Sequence, residues 1–421
     1  HLIGGTDHEN MFLSTGDLDQ DGRRDIICAT KGGPIVWYRR LENAWSAQEI
    51  PLPDGVGGGK GTAIGDIDGN GRQDIVFSCE GADKERSGVR WLSWETDPSA
   101  GIWHSHEISG PAGIKFDRLE LNDIDQDGDL DIFAACYDRR GHVDRNVALA
   151  RPVPYQDATN GGRNSLLRND GKFRFRHVTQ RVGLDANNTR YSYAAAWADY
   201  DRDGDLDLYV ANDFGRNNLY RQDKVRGQIR FTDVAESSGT LDIAAGMSAA
   251  WGDYDNDGLF DIYVSNMFSS AGNRIAKQAR FLANEDTTTR DLFVRHARGN
   301  SLFHNLGPGK GFEDVSVSAA VTQGRWAWGS AFADFNNDGW QVQFRKAQEW
   351  IEKPSCLVAT PAVWSRFATQ AVSDNRMAQS NFNALWSYVT ALNVEAANFN
   401  RACKRKHVQD YMGCMCRSCI C

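Results

Sequence analysis

No apolar run in the 421 residues approaches the roughly 20 needed for a helix to cross a bilayer. The chain also lacks a Gly-x-Ser-x-Gly elbow, a His-Glu-x-x-His pair and a phosphate-cradling glycine loop, which removes the usual signatures of serine hydrolases, zinc proteases and nucleotide enzymes. No basic stripe with interleaved aromatics is present, so there is no nucleic-acid footprint. Cysteine is sparse through residue 340. Cys28, Cys79 and Cys136 each follow an acidic segment in an apolar run, and three such similarly placed thiols make no disulfide framework. The chain opens at His1, which bears neither for nor against a leader peptide.

What is abundant is aspartate in a fixed pattern. Five copies of Asp-x-Asp-x-Asp/Asn-Gly-x-x-Asp begin at Asp17, Asp66, Asp123, Asp199 and Asp253, and a sixth, incomplete copy begins at Asp334. Carboxylates at positions 1, 3 and 5 of a tight glycine-containing turn converge on one point, and the acid at position 9 closes the cage. Such a cluster repels itself unless a cation sits within it, and oxygen-only donors suit calcium. The expected ligands are Asp17, Asp19, Asp21 and Asp25; Asp66, Asp68, Asn70 and Asp74; Asp123, Asp125, Asp127 and Asp131; Asp199, Asp201, Asp203 and Asp207; and Asp253, Asp255, Asp257 and Asp261. Backbone carbonyls at position 7 (Arg23, Arg72, Asp129, Asp205 and Leu259) should complete each shell. In the sixth copy Asp334, Asn336 and Asp338 fit, but position 9 is Val342. An EF-hand is excluded. It requires a bidentate Glu at position 12, where these turns carry Cys28, Phe77, Ala134, Val210 and Val264.

The turns recur 49, 57, 76, 54 and 81 residues apart. Each is preceded by an apolar or aromatic strand pattern, as in AAAWADY, and followed by another, as in DLYVA. Asn-Asp-Gly at 169–171 and Asn-Leu-Gly at 305–307 then read as hairpin turns. Four strands per unit at this period predict an all-β fold, a β-propeller with six recognisable blades and a seventh if one lies beyond the last turn.

With motif, flanks and period together, residues 1–340 resemble the FG-GAP/VCBS repeat family of calcium-binding propellers related to integrin α heads. DYDNDGLFDIYVSNMFSSAGNRI (253–275) and NSLFHNLGPGKGFEDVSV (300–317) are more narrowly similar to bacterial relatives of cartilage acidic protein. The first two units, with Val36-Trp37-Tyr38-Arg39 and Val89-Arg90-Trp91-Leu92, are similar to VCBS propellers of some carbohydrate-active proteins.

From Gln341 the pattern stops. The net charge of −9 splits there, because 341–421 holds ten Lys/Arg against five acids, six of the nine cysteines and one of 41 glycines. This Cys-containing tail is read as non-native sequence from a shifted frame or chimeric junction, the alternative being a helical appendage; Cys414, Cys416, Cys419 and Cys421 would suit a soft metal.

If the acidic turns join first and second strands, the connections after each second strand open on the opposite face. The long ones, 137–164 and 266–300, are relatively basic. Candidate ligand contacts there are Arg139, Arg140, Arg145, Arg216, Asn217, Asn273 and Arg274, with Arg190, Tyr191, Arg325 and Trp326 from interblade loops. His104 and His106 form a weaker metal candidate on one strand face. The expected role is a secreted, periplasmic or cell-surface binding or scaffold module for a glycan or extracellular protein, monomeric or part of a larger surface protein. No catalytic residue is assigned, and the alternative is a carbohydrate lyase or dehydratase built on the same propeller.

Overall fold

The computed structural model describes residues 10–30, 33–53, 56, 59–79, 88–108, 116–137, 152–324 and 327–333. The sixth turn (Asp334, Asn336, Asp338) and the whole 341–421 tail lie outside them, as do Arg139, Arg140, Arg145, Arg325 and Trp326.

Five antiparallel four-stranded sheets follow one another along the compact unit Ile3–Phe332. The first holds β1 (Asn10–Gly16), β2 (Asp25–Thr30), β3 (Ile35–Arg40) and β4 (Trp45–Ile50). The second holds β5 (Gly59–Gly65), β6 (Asp74–Cys79), β7 (Val89–Ser93) and β8 (His104–Glu107), and the third β9 (Phe116–Asn122), β10 (Asp131–Cys136), β11 (Ser165–Asn169) and β12 (Phe175–His177). The fourth runs β13 (Tyr191–Ala198), β14 (Asp207–Asp213), β16 (Asn218–Val225), β17 (Gln228–Asp233), while β15 (Gly215–Arg216) pairs separately with β18 (Ile243–Ala244). The fifth contains β19 (Gly246–Gly252), β20 (Asp261–Asn266), β21 (Ser301–Asn305) and β22 (Phe312–Asp314). Each sheet is a propeller blade. Strand order within a blade follows the chain, as short hairpin connections require.

The first strands β1, β5, β9, β13 and β19 touch one another in sequence order and form the inner layer. Small residues permit that approach. A Cβ on Gly65 would lie 2.7 Å from Leu130 Cδ1, and one on Gly246 would lie 2.9 Å from the Asn212 carbonyl oxygen. The second strands are covered on both faces by adjacent blades, so DIVFSC, DIFAAC, DLYVAND and DIYVSN are buried throughout, which explains their continuous apolar character. The hydrophobic core therefore sits between blades. Phe133, Ala135 and Leu166 of the third pack on Leu208, Val210, Tyr220 and Phe231 of the fourth. The side chains of Cys28, Cys79 and Cys136 are buried in these layers.

Two short helices, α1 (Thr179–Val182) and α2 (Ala235–Ser238), follow the outer strands of blades 3 and 4. Each ends at a left-handed glycine, Gly183 (φ +91) and Gly239 (φ +82), set against the outer strand of the next blade. The segment 266–300, read from sequence as a long loop, instead contains α3 (Ser270–Ala276) and α4 (Thr287–Ala297), capped by Ser269 and Asp286. Only Ala276 of α3 and Ala297 of α4 are buried, so no buried apolar stripe of helical period marks the segment.

Gly239 combines a positive φ with a would-be Cβ only 2.6 Å from the Phe312 carbonyl oxygen. Gly239→Ala should destabilise the protein by about 1–3 kcal/mol, measured by denaturant unfolding. An unchanged midpoint would remove this glycine from the interblade contact.

Candidate metal centres and the opposite face

Each acidic turn joins a blade's first strand to its second, so the five described turns share one face. Within each turn the aspartates divide the work. At position 1 the carboxylate accepts two amides: Asp17 from Asp21 N and Gly22 N at 3.0 and 2.8 Å, and Asp199 from Asp203 N and Gly204 N at 3.1 Å each. The position 5 side chain accepts the position 7 amide, as in Asp21 from Arg23 (2.9 Å), Asn70 from Arg72 (2.8 Å), Asp127 from Asp129 (3.0 Å), Asp203 from Asp205 (2.9 Å) and Asp257 from Leu259 (2.8 Å). These bonds bend the backbone so that the side chains point inward.

Position 9 does something the motif did not announce. Asp25, Asp74, Asp131, Asp207 and Asp261 are fully or almost fully buried. One oxygen of each accepts the amide of position 2, from Leu18, Ile67, Ile124, Tyr200 and Tyr254. In blades 1, 3, 4 and 5 the other oxygen accepts a third-strand amide, from Arg40 (2.7 Å), Asn169, Gln222 and Asn305 (2.8 Å each). The carboxylate is thus a strut between turn and third strand.

Position 3 accepts the position 5 amide in blades 2 and 5, through Asp68 and Asp255, but is left over in blades 1, 3 and 4. Asp19 Oδ1, Asp125 Oδ1 and Asp201 Oδ1 are buried with no hydrogen-bond partner. Burial, reinforced by neighbouring carboxylates, raises the pKa of all three. In each of the triads Asp17/Asp19/Asp25, Asp66/Asp68/Asp74, Asp123/Asp125/Asp127 and Asp199/Asp201/Asp203 one oxygen per residue lies within 4.8 Å of the others. Buried oxygens without donors, gathered at that spacing, fit a hard divalent cation.

The turns are also laced to one another. Gln20 Nε2 donates to the Gly71 carbonyl of the next turn, Gln126 Nε2 to Gly204 O at 2.8 Å, and Arg202 to Gly258 O. In the reverse direction Asn169 Nδ2 donates to Ile67 O (3.1 Å), Gln222 Nε2 to Ile124 O (3.2 Å) and Asn305 Nδ2 to Tyr200 O (3.0 Å). His104 and His106 turn to different partners, Glu95 and Ser93, and His106 stacks on Trp91 at 4.1 Å.

On the other face the sequence candidates are redistributed. Arg190, Tyr191 and Asn217, expected as surface contacts, are at most 8% exposed. Arg190 and Arg216 both bind Asp157, at 2.7 and 2.9 Å, and these guanidiniums hold the Asp157 carboxyl below its ordinary range although burial acts to raise it. Asn217 donates to Tyr209 Oη and supports the Asn212 amide. All three are buried, Arg190 and Asn217 against polar partners and Tyr191 against the rings of Tyr137 and Phe214. Asn273 bonds to the backbone of Ser269 and Ala297, and Arg274 is exposed.

Aromatic residues dominate this face, and of them only Tyr191 was singled out from sequence. Trp328, Tyr193, Tyr137, Tyr191, Phe214, Tyr155 and Phe293 form a connected string of ring contacts, with centroids 5.1–6.3 Å apart. Trp328 and Tyr155 are 53% and 48% exposed. Beneath them Tyr137 Oη donates to Asp213 Oδ2 at 2.8 Å, and Asp213 Oδ1 is buried without a partner. Burial pushes Asp213 up to about 6, against the opposing effect of these donors. Tyr137 and Phe214 both stand immediately after a second strand, and aligning the units on that boundary is the signal that would have found them.

The chain matches the FG-GAP-like repeat over residues 17–77, 123–210, 199–264 and 288–341, more than half its length. It is 25% identical over 391 residues to mouse cartilage acidic protein 1, covering 78% of this chain and 56% of that protein. To the human protein it is 27% identical over 180 residues, 42% and 23% of the two chains. The chain therefore spans about half the length of these relatives, or less. Similar solved structures include an auxiliary nutrient binding protein from Bacteroides ovatus (11% identity, TM-score 0.37, covering 62% of this chain and 54% of that one) and a V. cholerae biofilm matrix protein (14%, 0.33, 63% and 36%).

Burial lifts the position 9 acids: Asp74 and Asp131 to about 7, Asp207 to about 8 and Asp261 to about 6. An unfolded aspartate titrates near 3.9. A carboxyl raised in the fold contributes stability that is complete below about pH 4 and is lost as pH climbs through the folded values, about 6 to 8. Chelator-treated protein should therefore melt several degrees lower at about pH 8.5 than at about pH 5.5, read by calorimetry. A higher melting point at the alkaline end would contradict this.

Proposed function

Since the chain belongs to the FG-GAP-like repeat family, we propose that it is a calcium-stabilised extracellular binding module that takes a glycan on the face opposite the acidic turns. The single observation that carries the ligand side is the aromatic string over Asp213. Exposed Trp328 and Tyr155 offer flat apolar surface to the C–H faces of a sugar. Asp157, Asp213 and Arg216 supply the convergent polar groups that select among hydroxyls.

The cation side rests on the unpartnered position 3 oxygens. Asp19, Asp125 and Asp201, with the position 1, 5 and 9 carboxylates, would hold calcium and neutralise a repulsion the fold otherwise carries. Sites of extracellular type bind calcium at roughly 10⁻⁴–10⁻³ M, so they fill where calcium is millimolar. That supports a secreted, periplasmic or cell-surface location. Within the described residues no helix is long and apolar enough to span a membrane.

A sugar lyase or dehydratase is the second reading, and one observation favours it. Asp213, raised to about 6 and bonded to the Tyr137 phenol, could exchange a proton with a bound sugar near neutral pH.

Millimolar calcium should add about 0.5–1.5 kcal/mol per site, raising Tm over the chelated state by roughly 10 °C; an unchanged Tm would remove the structural role of calcium. Trp328→Ala and Tyr155→Ala should each weaken glycan-array binding about tenfold with Tm within a few degrees of the parent. Retained binding in both would move the ligand elsewhere. Turnover of a polysaccharide panel that is abolished by Asp213→Asn would establish the enzyme in place of the binding module.

A further inference from the structure

The five described blades share one register at the turn. Position 10 pairs with Tyr38, Leu92, Leu167, Tyr220 and Phe303 on the third strand. The next third-strand residue stands opposite position 9, and it is Arg39, Ser93, Arg168, Arg221 and His304 in turn. In blade 1 the arginine caps Asp19, with Asp21 at 3.9 Å. In blade 3 Arg168 lies 3.5 Å from Asp125, and in blade 4 Arg221 pairs with Asp223 at 3.1 Å. A guanidinium is permanently charged and has no lone pair, so it can compete with a cation but never bind one.

Blade 5 differs in kind. His304 Nδ1 lies 3.5 Å from Asp255 Oδ2 and 3.2 Å from Asp261 Oδ1. Donor atoms of Asp255, Asp257 and His304 all fall within 4.8 Å of one another. Tyr254 meets the imidazole edge to face at 5.6 Å and 90°, which fixes the ring plane. His304 is 21% exposed, so its nitrogen faces the cage from a mostly enclosed position.

We propose that the fifth turn is a mixed nitrogen–oxygen site selective for a first-row divalent transition cation, with Asp255, Asp257 and His304 Nδ1 as ligands. Imidazole nitrogen is a poor donor to calcium and a good one to these softer ions. Without a metal Nδ1–H donates to Asp261 Oδ1 at 3.2 Å; ligation replaces that bond and uses the neutral tautomer that carries its proton on Nε2, which frees the Nδ1 lone pair. Histidine in place of the arginine of blades 1, 3 and 4 therefore removes a permanent charge beside the turn and adds a ligand in one step. This inference rests on the reading of the turns as cation sites.

The probe is one equivalent of Mn2+ added to the full chain in millimolar calcium, which fills the oxygen-only turns. Pulsed electron paramagnetic resonance of bound Mn2+ should show nitrogen modulation from a directly coordinated imidazole. His304→Arg and His304→Gln should both lose that modulation and bind Mn2+ at least about tenfold more weakly, while keeping the calcium-dependent rise in Tm. Absence of nitrogen modulation in the parent, or its persistence in both variants, overturns the proposal. A parent whose Tm ignores calcium overturns the underlying reading instead, so the two failures are separable.

Discussion

The buried aspartate at position 9 is the constraint on which the blade depends. Its carboxylate joins the first residues of the turn to the third strand, as Asp207 does between Tyr200 N and Gln222 N. A charge held without exposure needs compensation. Backbone amides give part of it, and the elevated pKa of Asp74, Asp131, Asp207 and Asp261 shows that they do not give all. The remaining deficit is one that a cation held in the acidic turn would offset.

Repetition turns this local device into a global one. Because each turn sits between first and second strands, stacking the blades gathers the turns on one face, where Gln20, Gln126 and Arg202 reach forward and Asn169, Gln222 and Asn305 reach back. The opposite face is freed from that duty. There the connections vary in length and carry the helices α3 and α4, the Asp157–arginine pairs and the aromatic string.

The blades are not equivalent where they look most alike. The residue opposite position 9 is arginine in blades 1, 3 and 4, serine in blade 2 and histidine in blade 5, a difference invisible in the nine-residue motif because it lies on another strand. In the proposed reading, charge and donor type at that position would set which cation each turn prefers.

Much of the architecture was legible in the chain. Alternating aspartates around Gly22, Gly71, Gly128, Gly204 and Gly258 dictate a tight turn with convergent oxygens, and the apolar runs beside them dictate strands. Both are local consequences of backbone geometry. The division of labour within the motif was not legible, since position 9 serves the third strand at a separation of 15 residues in blade 1 and 44 in blade 5. Nor was the burial of Arg190, Tyr191 and Asn217, whose polar or charged character suggested surface. Only packed neighbours determine whether such a group meets water or a buried partner. The sequence by itself determined the turns, their number and the face they occupy, because spacing along the chain encodes them. The tertiary structure decided the strut, the lacing, the aromatic string and the imidazole at the fifth cage, because each joins residues that only the pairing and stacking of blades bring together.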